Sequence, residues 1–253
     1  MKLTEVRRIS KPELRLIEVL RQYDLDRIVD ALDEGVESTS ITSSELLRAM
    51  RFALKPNVFF SLPVLQDEGV ITAEEFSLLD DAIKSSRNIL VLGGASSGRT
   101  SCLQSLLQHG AVVYDSSTLM VLESAPELAH RFLNMSIQNV KCHNTSLLSA
   151  SDLLMLLGSL PNTLAYMGLG DIRSERDNLL LHYVMTRNIP IMGVLDGVSL
   201  ENLQTYLKSV ISKQSFARDE LWDTFTEGML VVVCSSRPSF RYKVYKVEDI
   251  FGV

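Results

Sequence analysis

The spacing of apolar positions divides the chain into a helical beginning and a longer part in which strands and helices alternate. Over residues 1–55 the apolar residues recur at helical spacing, which predicts a small, mainly helical N-terminal domain. Residues 56–87 predict a linker and a lead-in helix, which starts where Thr72 and Glu75 can form a capping box. Residues 88–253 are predicted to form the core domain.

In the core domain, short apolar runs typical of strands are separated by segments with helical periodicity. This alternation predicts βα units and an α/β fold with a mostly parallel sheet. The predicted strands are 89–92, 119–122, 164–169, 191–195, 229–234 and 242–247, and the predicted helices include one capped by Ser151 or Asp152, one over 178–185 and one over 200–211. A polar turn separates the last two strands, which therefore predict a terminal hairpin.

The first predicted strand leads through a glycine loop directly into a helix. The loop has the pattern G-x-x-x-x-G-R-T, one residue away from the phosphate-binding pattern G-x-x-x-x-G-K-[ST]. In that pattern, backbone N–H groups and the helix N-terminus bind phosphate. The alternative is a turn that only joins strand to helix. We predict that the nucleotide-binding residues are Gly93, Gly94, Ala95, Ser96, Ser97, Gly98, Arg99, Thr100 and Ser101.

The loop contains Arg99 at the position where the pattern has lysine. A lysine is a compact point charge, whereas an arginine is a broad planar fork that has to sit differently against the phosphates. Arginine still binds phosphate, and it can do so with two hydrogen bonds. Thr100 holds the position that binds Mg²⁺ in this pattern. ATP with Mg²⁺ is therefore the expected ligand, and hydrolysis is left open.

Three predicted strands end in an acidic residue, namely Glu123, Asp171 and Asp196. Ligands of parallel sheets bind beyond the carboxyl ends of the strands, so these residues are expected to converge on one crevice with the loop. A carboxylate near a Mg²⁺-nucleotide can hold a metal-bound water or polarise the attacking water. We predict Glu123 and Asp171 as catalytic residues, and Asp171 with Thr100 at the metal. The alternative is that these carboxylates cap the helices that follow.

The composition is that of a globular protein with enough apolar residues for a core: of 253 residues, 46% are hydrophobic and 22% are charged. A net charge of −6 without a basic stripe argues against a nucleic-acid partner. Cys102, Cys142 and Cys234 have no metal-ligand spacing, which suggests reduced thiols inside the cell. The chain start lacks an apolar signal core, and polar residues interrupt the apolar stretch 153–169. We therefore expect a cytoplasmic protein without a transmembrane segment.

These motifs together resemble the secretion-superfamily traffic ATPases, which are the motors of type IV secretion, type II secretion and type IV pili. The family sequence GGTGSGKTT resembles residues 93–101, and the family's acidic box resembles residues 122–128. The family's strand end G-E-[IV]-R resembles residues 170–173, and its histidine box falls on residues 186–196. The closing strand of the family resembles residues 241–251.

The differences from the family concentrate in the residues used for phosphoryl transfer. Arginine replaces the loop lysine, and serine replaces a loop glycine and the acidic-box aspartate. Aspartate replaces the strand-end glutamate, and neither family histidine is present. The positions concerned are Arg99, Ser96, Ser124, Asp171, Asn188 and Asp196. Each change removes a charge or a hydrogen-bond donor, or shortens the side chain that would contact the water. The motifs are therefore degraded for catalysis.

The resemblance implies a RecA-like P-loop NTPase core that binds ATP and assembles or energises a secretion, conjugation or pilus machine. It also implies a homo-oligomer, typically a hexamer, or a mixed ring with an active paralogue. Such a ring would dock peripherally on platform proteins of the inner membrane. The alternative is an inactive structural or regulatory subunit, which binds nucleotide weakly or not at all. A third hypothesis is a small P-loop kinase or an unrelated NTPase, which would need a basic substrate pocket.

Overall fold

The computed structural model describes residues 61–124, 128, 139–145, 148–160, 164–212, 218–236 and 239–252. These residues belong to the unit Asn57–Val253, which alone is described here. The predicted N-terminal helices and the first part of the linker lie outside the described residues. The proposed domain boundaries therefore stay a prediction.

The described residues form one seven-stranded sheet in the order β3-β2-β4-β5-β1-β6-β7. The strands are β1 Ile89–Gly93, β2 Thr118–Glu123, β3 Val140–Asn144, β4 Leu164–Ile172, β5 Ile191–Leu195, β6 Leu230–Ser235 and β7 Arg241–Lys246. All neighbouring strands pair in parallel except β6 and β7, which form an antiparallel hairpin. The predicted α/β class with a mostly parallel sheet is confirmed, and so is the terminal hairpin.

Helices cover both faces of the sheet. They are α1 Leu62–Asp67, α2 Ala73–Lys84, α3 Arg99–Val113, α4 Ala150–Gly158, α5 Glu175–Thr186, α6 Leu203–Ser212, α7 Arg218–Thr226 and α8 Val247–Phe251. Within the described ranges, no helix combines the length and the apolar character needed to cross a membrane. The helices α1, α2 and α3 pack on one face, and α4, α5, α6 and α7 pack on the other.

The central strand β1 shows why its sequence is apolar at every position. Ile89 and Val91 pack into the core on the α3 side, whereas Leu90 and Leu92 pack into the core on the α5 side. All four side chains are at most 1% exposed. A strand buried on both faces needs a continuous apolar run. Each such side chain contributes about 2 kcal/mol to folding through removal from water.

The lead-in helix α2 begins at the predicted capping box. The Thr72 side chain accepts a hydrogen bond from the backbone of Glu75, and the Glu75 carboxylate accepts one from the backbone N–H of Thr72 at 2.7 Å. The same carboxylate accepts a hydrogen bond from Arg241 at 2.7 Å. The capping prediction is confirmed, and the cap also ties α2 to strand β7.

Three local predictions differ from the structure. The N-cap of α4 is Ser149 and not Ser151 or Asp152, because Ser149 forms a capping box with Asp152 and the helix begins at Ala150. Strand β3 was not predicted, since it lies at the sheet edge and its side chains are only partly buried. Helix α7 was also not predicted, because its sequence RDELWDTFT has few apolar positions.

Candidate functional site

The glycine loop joins β1 to α3 at the carboxyl end of the sheet. Its backbone enters the left-handed region at Ser96, with φ 60°, and at Gly98, with φ 91°. Gly93 has φ 151°, and a Cβ atom there would lie 2.5 Å from Ser97 Oγ and 2.6 Å from the carbonyl oxygen of Cys234. Glycine is therefore required at position 93. Ser96 adopts its left-handed conformation at a cost of about 1 kcal/mol, because it carries a Cβ atom.

Two features at the start of α3 fit an anion. The N-cap residue Gly98 has no side chain to cap this 15-residue helix, so the positive end of the helix dipole faces the loop. Ser97 is only 4% exposed, and its hydroxyl has no hydrogen-bond partner in the described structure. A buried polar group without a partner costs about 1–3 kcal/mol, which a ligand oxygen can recover. Phosphate is the anion that helix N-termini typically bind.

The loop rests on residues of the terminal hairpin. Tyr242 of β7 donates a hydrogen bond from its hydroxyl to the carbonyl oxygen of Gly98 at 3.1 Å. A Cβ atom on Gly98 would lie 2.7 Å from that hydroxyl, so the tyrosine fits only a glycine. Tyr242 is not among the site residues predicted from the sequence. Its only signal was its position in the segment that resembles the family's closing strand.

Two of the three cysteines meet beneath the loop. Cys102 of α3 and Cys234 of β6 are both buried and free. The hydrogen bond with Cys234, together with burial, raises the pKa of the Cys102 thiol well above its usual range. Cys142 is free as well, and burial raises its pKa to about 12. The thiols of Cys102 and Cys142 therefore stay neutral, and the backbone of Cys234 lies against Gly93 of the loop.

Four charged residues form a chain of ion pairs in front of the loop, here called the arginine–aspartate network. Arg99 Nη1 lies 2.5 Å from Asp196 Oδ1. Arg173 Nε lies 3.0 Å from Asp196 Oδ2, and Arg173 also pairs with Asp171. The hydrogen bond from Arg99 is the main cause that lowers the pKa of Asp196, so this carboxylate stays ionised. The loop arginine is thus bonded to the carboxylate that follows β5, the strand beside β1 in the sheet.

Strand order brings the network together. Strand β5 lies between β4 and β1, so the residue after β5 lies between the end of β4 and the loop. The pairing of β4 with β5 shifts its register between Leu169 and Asp171, which leaves Gly170 as the extra residue. Such a bulge changes the direction in which the following side chains point. Asp171 and Asp196 are therefore brought to the predicted crevice.

Glu123 lies at the end of β2 and has a local partner. Its side chain is 5% exposed, and its Oε2 accepts a hydrogen bond from the backbone N–H of Leu128 at 2.9 Å. A Cβ atom at Gly170 would lie 2.8 Å from the Cβ of Glu123, so only glycine permits this close approach of β2 and β4. The hydrogen bond favours the capping interpretation of Glu123. Its catalytic role stays a prediction, and residues 125–127 of the acidic box lie outside the described residues.

Only one of the two positions aligned with the family histidines lies at the site. Asp196 follows β5 at the carboxyl end of the sheet, where the loop lies. Asn188 precedes β5 and lies at the amino end of the sheet. Asn188 has φ 50°, and its N–H donates to the carbonyl oxygen of Met185 at 3.1 Å. This geometry ends helix α5, a position where asparagine tolerates the left-handed conformation.

The predicted metal residues are compatible with Mg²⁺. Thr100 lies in the first turn of α3, and Asp171 pairs with Arg173, whose side chain is 57% exposed. An exposed ion pair is weak, so the Asp171 carboxylate can be released at little cost. In the described part of the chain, including the surroundings of Asp171, no cluster of three or more histidine, cysteine or acidic side chains is arranged for a metal.

No model of a protein family matches this sequence, and no curated protein matches it. Among solved structures, the chain is similar to the VirB11 ATPase from the Brucella suis type IV secretion system, solved in complex with sulphate. The sequence identity is 17%, the TM-score is 0.54, and the match covers 84% of this chain and 64% of that chain. The Legionella pneumophila ATPase DotB matches with 12% identity and a TM-score of 0.48, over 70% of this chain and 48% of that chain.

The match with VirB11 shows that this chain shares the fold of that structure. It includes an α/β arrangement around the seven-stranded sheet described above. The chain spans 64% of the length of that structure. Fold similarity at this level of identity assigns neither activity nor partners.

Proposed function

We propose that this chain binds ATP at residues 93–101 and acts as a nucleotide-controlled subunit of a secretion, conjugation or pilus machine. The observation that carries the proposal is the buried hydroxyl of Ser97 beside the N-terminus of α3, which no side chain caps; within the described part of the chain this hydroxyl has no hydrogen-bond partner. This pair of features fits a phosphate oxygen, and it lies in a loop with the left-handed turns of a phosphate cradle.

The residues would share the ligand as follows. The backbone N–H groups of the loop and the Ser97 hydroxyl bind phosphate oxygens, and Arg99 binds them after it leaves Asp196. Thr100 and Asp171 hold Mg²⁺, which when bound neutralises part of the phosphate charge. Asp171 or Glu123 orients the attacking water if hydrolysis takes place.

The assembly is proposed from the resemblance of the motifs and the shared fold. VirB11 is an ATPase of a type IV secretion system, and the chain shares its core fold. We propose a homo-hexamer, or a mixed ring with an active paralogue, in the cytoplasm. Such a ring would bind platform proteins at the inner membrane and change their arrangement when its subunits bind nucleotide.

A second candidate is an inactive subunit of the same kind of machine. It is favoured by the bonding of the three residues that catalysis would require. Arg99 and Asp171 are held in ion pairs, and Glu123 is held by a backbone N–H group. A subunit of this kind would transmit contacts within a ring without hydrolysing ATP itself.

Calorimetric titration with ATP and Mg²⁺ tests the proposal on the full chain. Wild-type protein should bind saturably, and Ser97→Ala should weaken binding about fivefold because one hydrogen bond to the ligand is lost. Gly98→Asp should abolish binding. Gly158→Ala is the matched control, since a Cβ atom there would meet nothing within 4 Å.

The outcomes separate the two candidates. Absence of binding by folded wild-type protein at millimolar ATP would refute nucleotide control. Saturable binding with release of phosphate above the Gly98→Asp background supports the ATPase. Saturable binding without phosphate release supports the inactive subunit, and so does the absence of binding, because a subunit of that kind binds nucleotide weakly or not at all.

A further inference from the structure

Asp196 is shared between two arginines through its two different oxygens. Oδ1 faces Arg99 at 2.5 Å, and Oδ2 faces Arg173 at 3.0 Å. The two guanidinium groups differ in environment, because Arg99 is 10% exposed and Arg173 is 57% exposed. The buried member of the network therefore belongs to the loop, and the exposed member belongs to the end of β4.

This sharing determines what happens if Arg99 leaves. Leaving a partly buried carboxylate without any partner costs free energy. If Arg99 were the only partner of Asp196, this cost would keep Arg99 bound to it. Asp196 instead keeps Arg173 on its other oxygen, and Arg173 also pairs with Asp171. Arg99 can therefore exchange Asp196 for another anion while every other charge in the network keeps a partner.

The anion that competes with Asp196 for Arg99 is a phosphate, and it would bind at the residues directly before Arg99. Ser97 and Gly98 directly precede it in the chain, and these are the residues whose hydroxyl and helix terminus fit phosphate. A guanidinium binds carboxylate and phosphate through the same fork geometry, so the two anions compete for one donor set. Binding of a polyphosphate to Arg99 requires the Arg99–Asp196 bond to break. The free energy of breaking this bond lowers the apparent affinity of the site for the polyphosphate.

We propose that Asp196 is a positioning residue that holds Arg99 away from the phosphates until a polyphosphate displaces it, and that Arg173 determines how readily Arg99 is released. The inference rests on the proposed function, because it needs a ligand at the loop. It assigns Asp196 and Arg173 a role in setting affinity, beyond the loop residues themselves. The site would thus respond to nucleotide by moving one buried charge.

The test measures ATP affinity of four variants of the full chain, without metal ions, so that Mg²⁺ at Asp171 does not contribute. Asp196→Asn removes the competitor of the phosphates and should tighten binding at least about fivefold. Arg173→Gln leaves Asp196 dependent on Arg99 and should weaken binding about threefold to fivefold. Glu227→Gln is the matched control for the loss of one negative charge, because Glu227 pairs with Arg87 at the other end of the sheet. It should leave the affinity unchanged.

The fourth variant, Arg99→Ala, separates the exchange from general electrostatics. When Arg99 is absent, Asp196→Asn and Arg173→Gln should no longer shift affinity in opposite directions, and the effect of Asp196→Asn should fall to less than about twofold. If Asp196→Asn tightens binding equally with and without Arg99, simple charge repulsion explains the result and the inference is wrong. Unchanged affinity in Asp196→Asn would overturn it as well.

Failure of the inference differs from failure of the proposed function. If wild-type protein binds no ATP, and Asp196→Asn binds none either, the proposed nucleotide site is refuted. If wild-type protein binds ATP but the variants do not follow the predicted signs, only the exchange is refuted. Thermal melts of each variant without ligand identify any loss of folding, and a variant that does not fold is replaced by Asp196→Ser or Arg173→Met. Arg173→Lys keeps the charge and should retain most of the wild-type affinity.

Discussion

The two ends of the sheet differ in whether their buried polar groups have hydrogen-bond partners. At the amino end, Asn88 is buried, its side chain donates to the carbonyl oxygen of Phe225 at 2.7 Å, and it accepts from the N–H of Ile191 at 2.9 Å. Tyr166 is fully buried there and donates to the carbonyl oxygen of Arg87 at 2.8 Å. At the carboxyl end, the buried hydroxyl of Ser97 has no hydrogen-bond partner among the described residues.

The charged groups follow the same division. A polar cavity of about 260 Å³ lies at the amino end, but its guanidinium, that of Arg87, is bonded to the backbone and the carboxylate of Glu227. At the carboxyl end, the carboxylate of Asp196 is shared by two guanidinium groups. Polar groups that are satisfied within the chain contribute to stability, whereas unpaired or exchangeable ones are available to a ligand. The cavity is therefore not the better candidate for the site.

The largest effect is expected from Gly93→Ala, which would break the conformation of the carboxyl end. A methyl group there meets Ser97 Oγ at 2.5 Å and a backbone carbonyl at 2.6 Å, in a region of φ that alanine rarely adopts. The free energy of unfolding should fall by about 3 kcal/mol in urea denaturation. Gly94→Ala is the control, because its Cβ would meet nothing within 4 Å. Equal effects at the two positions would contradict the tight packing at Gly93.

A smaller effect on stability is expected from Asn88→Ala at the amino end. The change leaves a buried carbonyl and a buried N–H group without their partner, so the free energy of unfolding should fall by about 2 kcal/mol. ATP affinity at 25 °C should stay unchanged, since the residue lies at the other end of the sheet from the loop. The exposed Glu220→Ala serves as the control for stability. A loss of affinity in folded Asn88→Ala would show that the two ends are coupled.

The smallest effect concerns the pH dependence of Asp196. Its pKa is lowered in the folded protein, chiefly by the hydrogen bond from Arg99, so its ion pairs stabilise the fold above the unfolded pKa near 4. This stabilisation is lost as the pH falls through the lower, folded pKa. The difference in unfolding free energy between wild type and Asp196→Asn should therefore shrink from pH 7 to pH 3. In an Arg99→Ala background the same difference should depend less on pH, and an unaltered dependence would assign the shift to another group.

Several elements could be predicted from the sequence because adjacent residues determine them. Strand β1, the glycine loop and helix α3 follow one another without a linker, and the glycines are needed for the backbone itself. The Thr72 and Glu75 capping box depends on residues three apart. Strand β5 was predicted with its observed bounds, Ile191–Leu195. Strand β3 was missed because an edge strand has no need of an apolar run.

The partners of the site residues could not be predicted in this way. Arg99 and Asp196 are 97 positions apart, and they meet only because β5 lies between β4 and β1. Tyr242 is 144 positions from Gly98, and it reaches the loop because the terminal hairpin pairs with the other side of β1. Cys102 and Cys234 looked scattered in the sequence and are neighbours in space.

The sequence by itself determined the α/β class, the position of the loop and the arginine within it, because these depend on local spacing, burial and backbone conformation. Only the tertiary structure decided that the arginine is held by an aspartate and that Asn188 lies away from the site. The physical reason is that a charged side chain pairs with whichever partner the strand order brings within a few ångströms. That order depends on the packing of the whole sheet and not on any one segment.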